Sequence, residues 1–350
     1  MDDLGHRVVD GALRFMAASG AARALRPVSR GRGVILMLHH VRPPSAEAFA
    51  PNGGLEVTPA FLDEALTLLR DEGFDLIPLD EVPGKLRDAT GAPFAALTFD
   101  DGLRDNVEHA LPVLRRHGAP WTLFATAGFA DGTARLWWRE LELALARLNR
   151  VRLNLDGALL DLPADAPADK QAAFDVLYGR LRAGPEERLR TAVAALAAEA
   201  GIDGGRLTRE QCLSWDELRE LSAEPGVTVG AHTLTHPMLA KHPEAVARRE
   251  IAASKRSIER RLGLPVRHFA YPVGDPTSAG PREFRLAAEA GFELAVTTRP
   301  GHCFADHAAH LHALPRVSVN GRHQSGAALR ALLSGAPFLA WNRGRRVNAS

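Results

Sequence analysis

The sequence has few cysteines, almost no net charge and no long apolar run, and each of these absences narrows the range of functions. Among 350 residues there are two cysteines, Cys212 and Cys303, neither in a CxxC pair, which excludes a disulfide framework and fits a reducing compartment. Lys and Arg total 43 against 42 Asp and Glu, and a net charge of +1 provides no field that would hold nucleic acid. No stretch is apolar over the length of a transmembrane span.

The amino-terminal segment is amphipathic and does not resemble a signal peptide. It begins with acidic residues and places apolar side chains at helical spacing, without a basic start or an unbroken apolar core. We therefore expect a cytoplasmic protein with a helical extension over residues 1–32. Arginines in this extension and in a basic tail over residues 336–350 are compatible with peripheral contact at the inner face of a membrane, although a solvated surface is the simpler interpretation.

Between these ends, a unit of amphipathic helix, glycine and apolar strand recurs. Three helical stretches end at Gly73, Gly118 and Gly291, where glycine can adopt the left-handed conformation that closes a helix. Helices that alternate with strands favour a parallel sheet or barrel. Besides the strands of these units, apolar runs predict strands at residues 33–40, 94–99, 227–232, 267–272 and 314–319. With about seven or eight parallel strands, we expect an α/β fold with a closed or nearly closed barrel.

One segment departs from this alternation. Residues from about 136 to 224 are rich in Ala, Leu, Arg and Glu without clear strands, which predicts a helical insertion within a barrel over residues 33–335. The insertion opens with Trp137 and Trp138. Aromatic faces stack on pyranose rings, so this pair could line a sugar site, but tryptophans that open a helix more often pack in a core or hinge.

The most informative stretch is PFAALTFDDGLRD, residues 93–105. An apolar strand ends there at Asp100, Asp101 and Gly102, and ligands of parallel α/β folds bind at the carboxyl ends of the strands. Adjacent carboxylates push their pKa values apart, and a bound cation relieves the repulsion, leaving one acid as a ligand and the other as a base. The motif alone would also fit an ordinary turn and helix N-cap.

A second stretch, VTVGAHTLTHPML, places two histidines at a strand end. His232 and His236 are separated by one turn of chain and can point at the same ion, and neutral imidazole is a good zinc ligand. With 14 histidines in the chain such a pair is expected by chance, so its weight comes from a placement that matches that of the two acids. Two histidines and one aspartate with open coordination positions describe a hydrolytic metal site.

Together these motifs resemble the polysaccharide deacetylases, the carbohydrate esterase family 4 group that includes the nodulation-type chitooligosaccharide deacetylases. TFDDG at residues 98–102, HTLTH at 232–236 and FAYPVG at 269–274 match in order and strand context, and the resemblance covers roughly residues 34–319. It implies a distorted (β/α) barrel. It also implies metal-dependent hydrolysis of N-acetyl groups on an amino sugar, in an oligosaccharide, a polysaccharide or a glycolipid.

The resemblance extends to single residues. Asp100 corresponds to the general base, and Asp101, His232 and His236 correspond to the three ligands of a divalent metal, with zinc expected and cobalt or nickel as alternatives. A backbone N–H of the loop at residues 272–274 would stabilise the oxyanion.

The general acid is less well defined. In the family it commonly comes from a histidine of a carboxyl-terminal Leu-x-His motif, and this chain offers HLHALPRVSV near its last strand. We predict His312 for this role. The alternatives are His310, His39 at the end of the first strand, and Asp100 carrying its abstracted proton onward.

A second departure from the family is Ala270, where many members have an arginine that braces the base. We predict that Arg316, at another strand end, replaces that arginine; pairing with a structural acid is the alternative. Altered chemistry would fit a metal amidohydrolase acting on another amide, such as an N-formyl sugar or a cyclic amide, and a catalytically silent glycan-binding protein is a third function. The histidine-rich stretch 301–312 could form a separate metal site, but its spacing fits no standard zinc module.

Overall fold

Seven parallel strands close into a barrel in the computed structural model, which describes residues 11, 13, 15, 16, 18, 20–88, 90–155 and 157–349. In chain order the strands are β1 (Gly33–Leu38), β2 (His40–Val41), β3 (Glu56–Val57), β4 (Asp75–Leu76), β5 (Phe94–Phe99), β6 (Trp121–Ala125), β7 (Arg150–Leu155), β8 (Ala158–Pro163), β9 (Val227–Ala231), β10 (His268–Ala270), β11 (Leu294–Pro300) and β12 (Leu314–Ser318).

The barrel strands follow the order β1, β12, β11, β10, β9, β6 and β5, and β5 pairs with β1 to close the ring. All of these pairings are parallel, so the carboxyl ends of the seven strands lie at one rim. β10 is only three residues long, and the register between β11 and β12 shifts between Val296 and Pro300, which distorts the barrel. The predicted α/β barrel of about seven parallel strands is confirmed.

The apolar runs that predicted β1 and β5 are explained by burial on both strand faces. Every residue of these two strands is buried, because one face fills the barrel and helices cover the other. Phe99 at the end of β5 packs edge-on against Trp121 of β6, with ring centroids 5.0 Å apart. This packing fixes the carboxyl end of β5, and it therefore also fixes the position of the residues that follow Phe99.

Helices surround the barrel and form the insertion. The helix end predicted at Gly118 is confirmed, since this residue has a left-handed φ of 53° and its N–H donates to the carbonyl of Arg115. The helices span Ala21–Ser29, Pro59–Asp71, Val82–Arg87, Leu111–His117, Ala127–Ala130, Trp137–Arg147, Pro167–Ala183, Glu186–Glu199, Gly204–Gln211, Trp215–Ser222, Glu244–Leu262, Pro281–Glu289, Gly326–Leu333 and Ala336–Trp341.

The predicted insertion is mainly helical, but it also contains a β-hairpin that the sequence analysis missed. β7 and β8 pair in antiparallel register from Arg150 opposite Pro163 to Leu155 opposite Ala158. Alternating apolar residues and an Asp-Gly pair between the strands were the signals that could have identified it. The insertion has an apolar cluster of its own, to which Val151, Phe174 and Val193 contribute.

The two ends of the described chain lie against each other. Helix Ala336–Trp341 contacts helix Ala21–Ser29, so the predicted basic tail begins with a helical turn packed on the predicted extension. Residues 1–10 of that extension lie outside the described residues. None of the helices in the described ranges combines the length and the hydropathy that crossing a membrane would need.

Candidate active site

Residues from three different strand ends converge at the carboxyl rim of the barrel. Asp100 and Asp101 follow β5, His232 follows β9, and His39 follows β1. Asp100, Asp101 and His232 are no more than 3% exposed. The placement agrees with the expectation that the carboxyl rim of a parallel barrel carries the site.

Three potential ligand atoms meet close together at this rim. Asp101 Oδ1 lies 3.2 Å from His236 Nε2 and 3.5 Å from His232 Nε2, and a ligand atom of each residue lies within 4.8 Å of the others. Asp101 Oδ1 is buried without a hydrogen-bond partner among the described residues. Because a buried carboxylate oxygen needs compensation, this donor set fits a divalent cation.

Neighbouring groups orient both imidazoles. His232 Nδ1 donates to the carbonyl oxygen of Ala270 at 2.7 Å, which leaves the lone pair on Nε2, the atom that faces the carboxylate. The ring of His236 packs against Trp138 and Phe129, with centroid separations of 5.0 and 5.8 Å. Each ring therefore presents one defined nitrogen to the same point.

The electrostatics of the three groups are coupled. Burial raises the pKa of Asp101, but the neighbouring imidazoles of His232 and His236 together outweigh burial and hold its pKa well below the usual range. Burial lowers the pKa of His232, but the effects of Asp101 and Asp100 are together larger and raise this pKa above its ordinary value. The carboxylate is thus kept ionised, as a metal ligand must be.

Two of the three candidate ligands have strained backbones. The φ angles of Asp101 and His236 are 76° and 59°, and Thr233 between the histidines has φ 65°. A left-handed conformation costs a residue other than glycine about 1–2 kcal/mol, and such strain persists only where the surroundings enforce it. Asp101 contacts the two histidines, whereas Asp100 next to it has a different partner.

That partner is Arg316, on β12. Its Nη1 and Nη2 donate to the two carboxylate oxygens of Asp100, each at 2.7 Å, and the side chain is fully buried. Nε donates to Thr297 O at 2.9 Å and Nη1 also reaches Thr98 Oγ1 at 3.1 Å, which fixes the guanidinium plane. Burial raises the pKa of Asp100, but the charge and hydrogen bonds of Arg316, together with the nearby His232 and His39, outweigh burial and the net pKa is lowered.

His39 lies near the same carboxylate. Its Nε2 is 4.0 Å from Asp100 Oδ2, and its side chain keeps 19% of its exposure. The carbonyl of His39 accepts a hydrogen bond from Asn106 Nδ2 at 2.7 Å, which anchors the backbone. Burial lowers the pKa of His39 and outweighs the opposing effects of Asp101 and Asp100.

A cavity of about 730 Å³ opens beside the rim. Val317 and Ser318 of β12 line one side, and Phe174 and Tyr178 of the insertion line another. Trp137 packs against Tyr178 with ring centroids 5.5 Å apart. Aromatic residues of the insertion therefore line this cavity, whereas Asp100, Asp101, His232 and His236 are not among its lining residues.

The loop after β10 approaches the same rim. The N–H of Gly274 donates to Pro272 O at 2.6 Å, so it is already engaged, and proline has no N–H. Of the predicted oxyanion donors, this leaves the N–H of Val273, a residue with a left-handed φ of 62°.

Comparison with known proteins agrees with this geometry. The sequence profile of the polysaccharide deacetylase family matches residues 87–295, which is more than half of the chain and includes both the paired acids and the two histidines. The chain belongs to the polysaccharide deacetylase family. No curated protein matches it significantly.

Solved structures of deacetylases share the fold of this chain. The Streptococcus pyogenes deacetylase PplD, in complex with acetate, has 20% identity and a TM-score of 0.58 over 86% of this chain and 97% of its own. IcaB from Ammonifex degensii has 20% identity and a TM-score of 0.53 over 86% of this chain and 98% of its own. A putative polysaccharide deacetylase from Bacillus anthracis has 18% identity and a TM-score of 0.52, over 85% and 67%.

The structure of this deacetylase does not bring His312 to the site. His312 precedes β12, so it lies at the amino end of the strands, and its Nε2 contacts Phe292 O, which precedes β11, at 2.8 Å. His310 lies in the same segment. Asp100 lies beyond the opposite ends of the strands, which corrects the prediction that His312 is the general acid.

The histidine-rich stretch of the deacetylase does not form a metal site among the described residues. His302 places its two ring nitrogens 2.8 and 2.9 Å from the carbonyls of Arg30 and Leu332, and His307 Nδ1 accepts from Phe304 N at 3.0 Å. These contacts join the loop after β11 to both ends of the chain. These histidines therefore form hydrogen bonds that hold the loop in place.

Sequence reasoning missed one group that shapes this deacetylase site. Glu250, on helix Glu244–Leu262 and 3% exposed, accepts hydrogen bonds at 2.9 Å from the N–H groups of Leu234 and Thr235, between the two histidines. The Thr235 hydroxyl donates to it at 3.1 Å. A glutamate on an amphipathic helix carries no signal that distinguishes this role from a solvated one.

Proposed function

We propose that this polysaccharide deacetylase hydrolyses N-acetyl groups of amino sugars of the N-acetylglucosamine type, in an oligosaccharide, a polysaccharide or a glycolipid. The observation that carries the proposal is the convergence of Asp101, His232 and His236 beside a carboxylate, Asp100, that Arg316 clamps. Amide hydrolysis needs an electrophile, a base and an acid around one carbonyl group. This rim has a candidate for each.

We assign the electrophile to a divalent cation held by Asp101, His232 and His236. Two imidazoles and one carboxylate suit zinc, and cobalt and nickel accept the same donors. When bound, such a cation lowers the pKa of water and polarises the amide carbonyl. The unpartnered Oδ1 of Asp101 and the directed Nε2 of His232 favour this assignment.

Asp100 is the proposed base. It takes a proton from water as the oxygen attacks the acetamide carbon, and Arg316 keeps both of its oxygens in position and its pKa low. Arg316 would therefore fill the place left open by Ala270. The N–H of Val273 would donate to the oxyanion that forms on the carbonyl oxygen.

His39 replaces His312 as the proposed acid. The carbon–nitrogen bond breaks when the departing amine receives a proton, and acetate is the other product. Nε2 of His39 lies 4.0 Å from Asp100 Oδ2, so Asp100 can transfer the proton that it takes up to His39. Since burial lowers the pKa of His39, its protonated form gives up the proton readily.

The cavity supports a carbohydrate as the substrate. Tyr178 of the insertion lines it, and pyranose rings stack on aromatic side chains of this kind. PplD, which shares the fold, is a deacetylase whose structure contains acetate, and we propose acetate as the product here.

The test is an assay of the metal-stripped protein replenished with Zn²⁺, Co²⁺ or Ni²⁺, on N-acetylated oligosaccharides and a lipid-linked amino sugar. Metal-dependent release of acetate is the expected result, with Asp100→Asn retaining the metal and losing turnover. Release of formate or ammonia in place of acetate would assign the protein to another amide. Glycan binding without any product from the metal-loaded protein would contradict hydrolysis.

A further inference from the structure

The second histidine of the pair sits in a loop that the barrel alone does not hold. His236 lies five residues beyond the end of β9, in a left-handed conformation, and its N–H donates to Thr233 Oγ1 at 3.0 Å. Glu250 holds the loop before His236 from the barrel side. The backbone immediately on either side of His236 is contacted by a different part of the chain.

That part is the first turn of helix Glu186–Glu199, in the insertion. Arg190 Nη2 donates to the carbonyl of Thr235, the residue before His236, at 3.0 Å. Glu186 accepts from the N–H of Met238, two residues after His236, at 3.0 Å. The insertion therefore forms hydrogen bonds with the loop on both sides of His236.

Glu186 and Arg190 also contact each other. Arg190 Nη2 also donates to Glu186 Oε1 at 2.9 Å, and Glu186 is only 6% exposed. His242 Nε2 approaches Glu186 Oε2 at 2.7 Å. Burial raises the pKa of Glu186, but the bonds from His242 and Arg190 outweigh burial and lower it, so the carboxylate stays ionised.

A pair at i and i+4 on a helix is common and needs no function. This pair differs because its remaining hydrogen-bonding capacity is directed at backbone groups 45 and 52 residues away, in the loop of His236. Burying a carboxylate is costly unless it satisfies polar groups. Here the groups that it satisfies are those that define the position of a candidate metal ligand.

The insertion also contacts the imidazole itself. Trp138, at the start of the insertion and 6% exposed, packs on the ring of His236. The ring is thus held by an aromatic side chain while its backbone is held by a charged pair, both from the same inserted segment. Supporting contacts of this kind fix the direction in which a ligand nitrogen points.

We propose that Glu186 and Arg190 are positioning residues for His236, so that the helical insertion is a structural part of the metal centre. The inference rests on the proposed metal site. It adds that this site depends on an element far from the two sequence motifs. Both residues act through the loop of residues 233–238, whose backbone they contact.

The test measures metal binding and not turnover. Zn²⁺ affinity of the metal-free protein is measured by calorimetry, and the Co²⁺ form is examined by its visible absorption. Glu186→Ala and Arg190→Met are expected to weaken Zn²⁺ binding about 10- to 100-fold, the effect typical of lost supporting contacts, and to change the Co²⁺ spectrum. Arg190→Lys, which keeps a donor, should recover part of the affinity.

Glu187→Ala is the matched control, because it removes the same charge from the next residue of the same helix, at an exposed position. It should bind Zn²⁺ as the wild type does. Wild-type affinity and spectrum in folded Glu186→Ala and Arg190→Met would overturn the proposal. Folding of each variant is checked by its thermal transition. If Glu186→Ala fails to fold, the Zn²⁺ affinity of Arg190→Met alone tests the proposal.

Hydrogen exchange separates this inference from the proposed function. In the metal-free protein, amides of residues 233–238 should exchange faster in Glu186→Ala and Arg190→Met than in Glu187→Ala. If the wild type binds Zn²⁺ but releases no acetate, the proposed function fails and the inference stands. If the wild type binds no metal, faster exchange still supports the bracing of the loop, and equal exchange in all three variants overturns it.

Discussion

The clamp between Arg316 and Asp100 gives the sharpest quantitative test of the site. Both side chains are buried, at 1% and 2% exposure, and two parallel hydrogen bonds of 2.7 Å join them. Arg316→Met removes the cation and leaves the carboxylate buried without its partner. Breaking a buried pair in this way costs about 3–5 kcal/mol of unfolding free energy.

Asp100→Asn should lower the unfolding free energy by less than Arg316→Met does. Asp100→Asn leaves the cation of Arg316, but that guanidinium keeps its bonds to Thr297 O and Thr98 Oγ1. The double variant contains neither buried charge, so it should be about 2 kcal/mol more stable than the sum of the single effects predicts. This coupling is the quantity that distinguishes a mutual clamp from two independent side chains.

The assay is urea unfolding of the metal-free proteins, so that metal affinity does not enter. The matched control is Arg150 with Asp161, a pair in the insertion hairpin with side-chain exposures of 56% and 33%. Exposed pairs contribute about 0.2–1 kcal/mol, so the same cycle there should show little coupling. Additivity within about 0.5 kcal/mol at Arg316 and Asp100 would refute the reasoning.

Three further predictions follow from the same structure. His39→Gln should lower kcat about 10²- to 10⁴-fold with KM and zinc content unchanged, whereas His312→Gln should be active; the opposite pattern would restore His312 as the acid. Zinc at 100 times its Kd should raise the unfolding free energy by about 2.7 kcal/mol in calorimetry, and Asp101→Asn should abolish this increase. Burial lowers the pKa of His307 to about 4, so the unfolded chain, near 6.5, binds the proton first and stability falls as the pH drops from about 6.5 towards 4. Between pH 6.5 and 5 the loss is about 1.5 kcal/mol, and unfolding curves of His307→Asn should lack it.

The barrel was accessible from the sequence because its strands are buried on both faces. β5 has the predicted bounds, and β1, β9, β10 and β12 lie within their predicted ranges. Such strands must be continuous apolar runs, and that pattern survives without knowledge of the partner strands. The hairpin of β7 and β8 has one exposed face, so its strands alternate polar and apolar residues and do not form continuous apolar runs, and they lie inside a stretch dominated by helix-forming residues.

The candidate ligands were accessible for the same reason, since each follows the end of a recognisable strand. The error at His312 came from neglecting strand direction. This histidine precedes a strand, and His39 follows one, so in an all-parallel barrel the two belong at opposite rims. Glu186, Arg190 and Glu250 had no such signal, because their contacts depend on where the insertion and the surrounding helices pack.

The structure explains how two adjacent acids can take different roles. Successive residues of a strand point to opposite faces, and Asp101, directly after Asp100 at the end of β5, has a left-handed φ of 76°. Asp100 consequently faces Arg316, while Asp101 faces the two histidines. The cation that stabilises Asp100 is covalently part of the protein and stays when a metal leaves. Asp101 has two imidazoles beside it, and these must be neutral to ligate, so a bound metal would supply the positive charge that stabilises this carboxylate. The clamp on Asp100 therefore keeps the proposed base ionised whether or not the neighbouring site is filled.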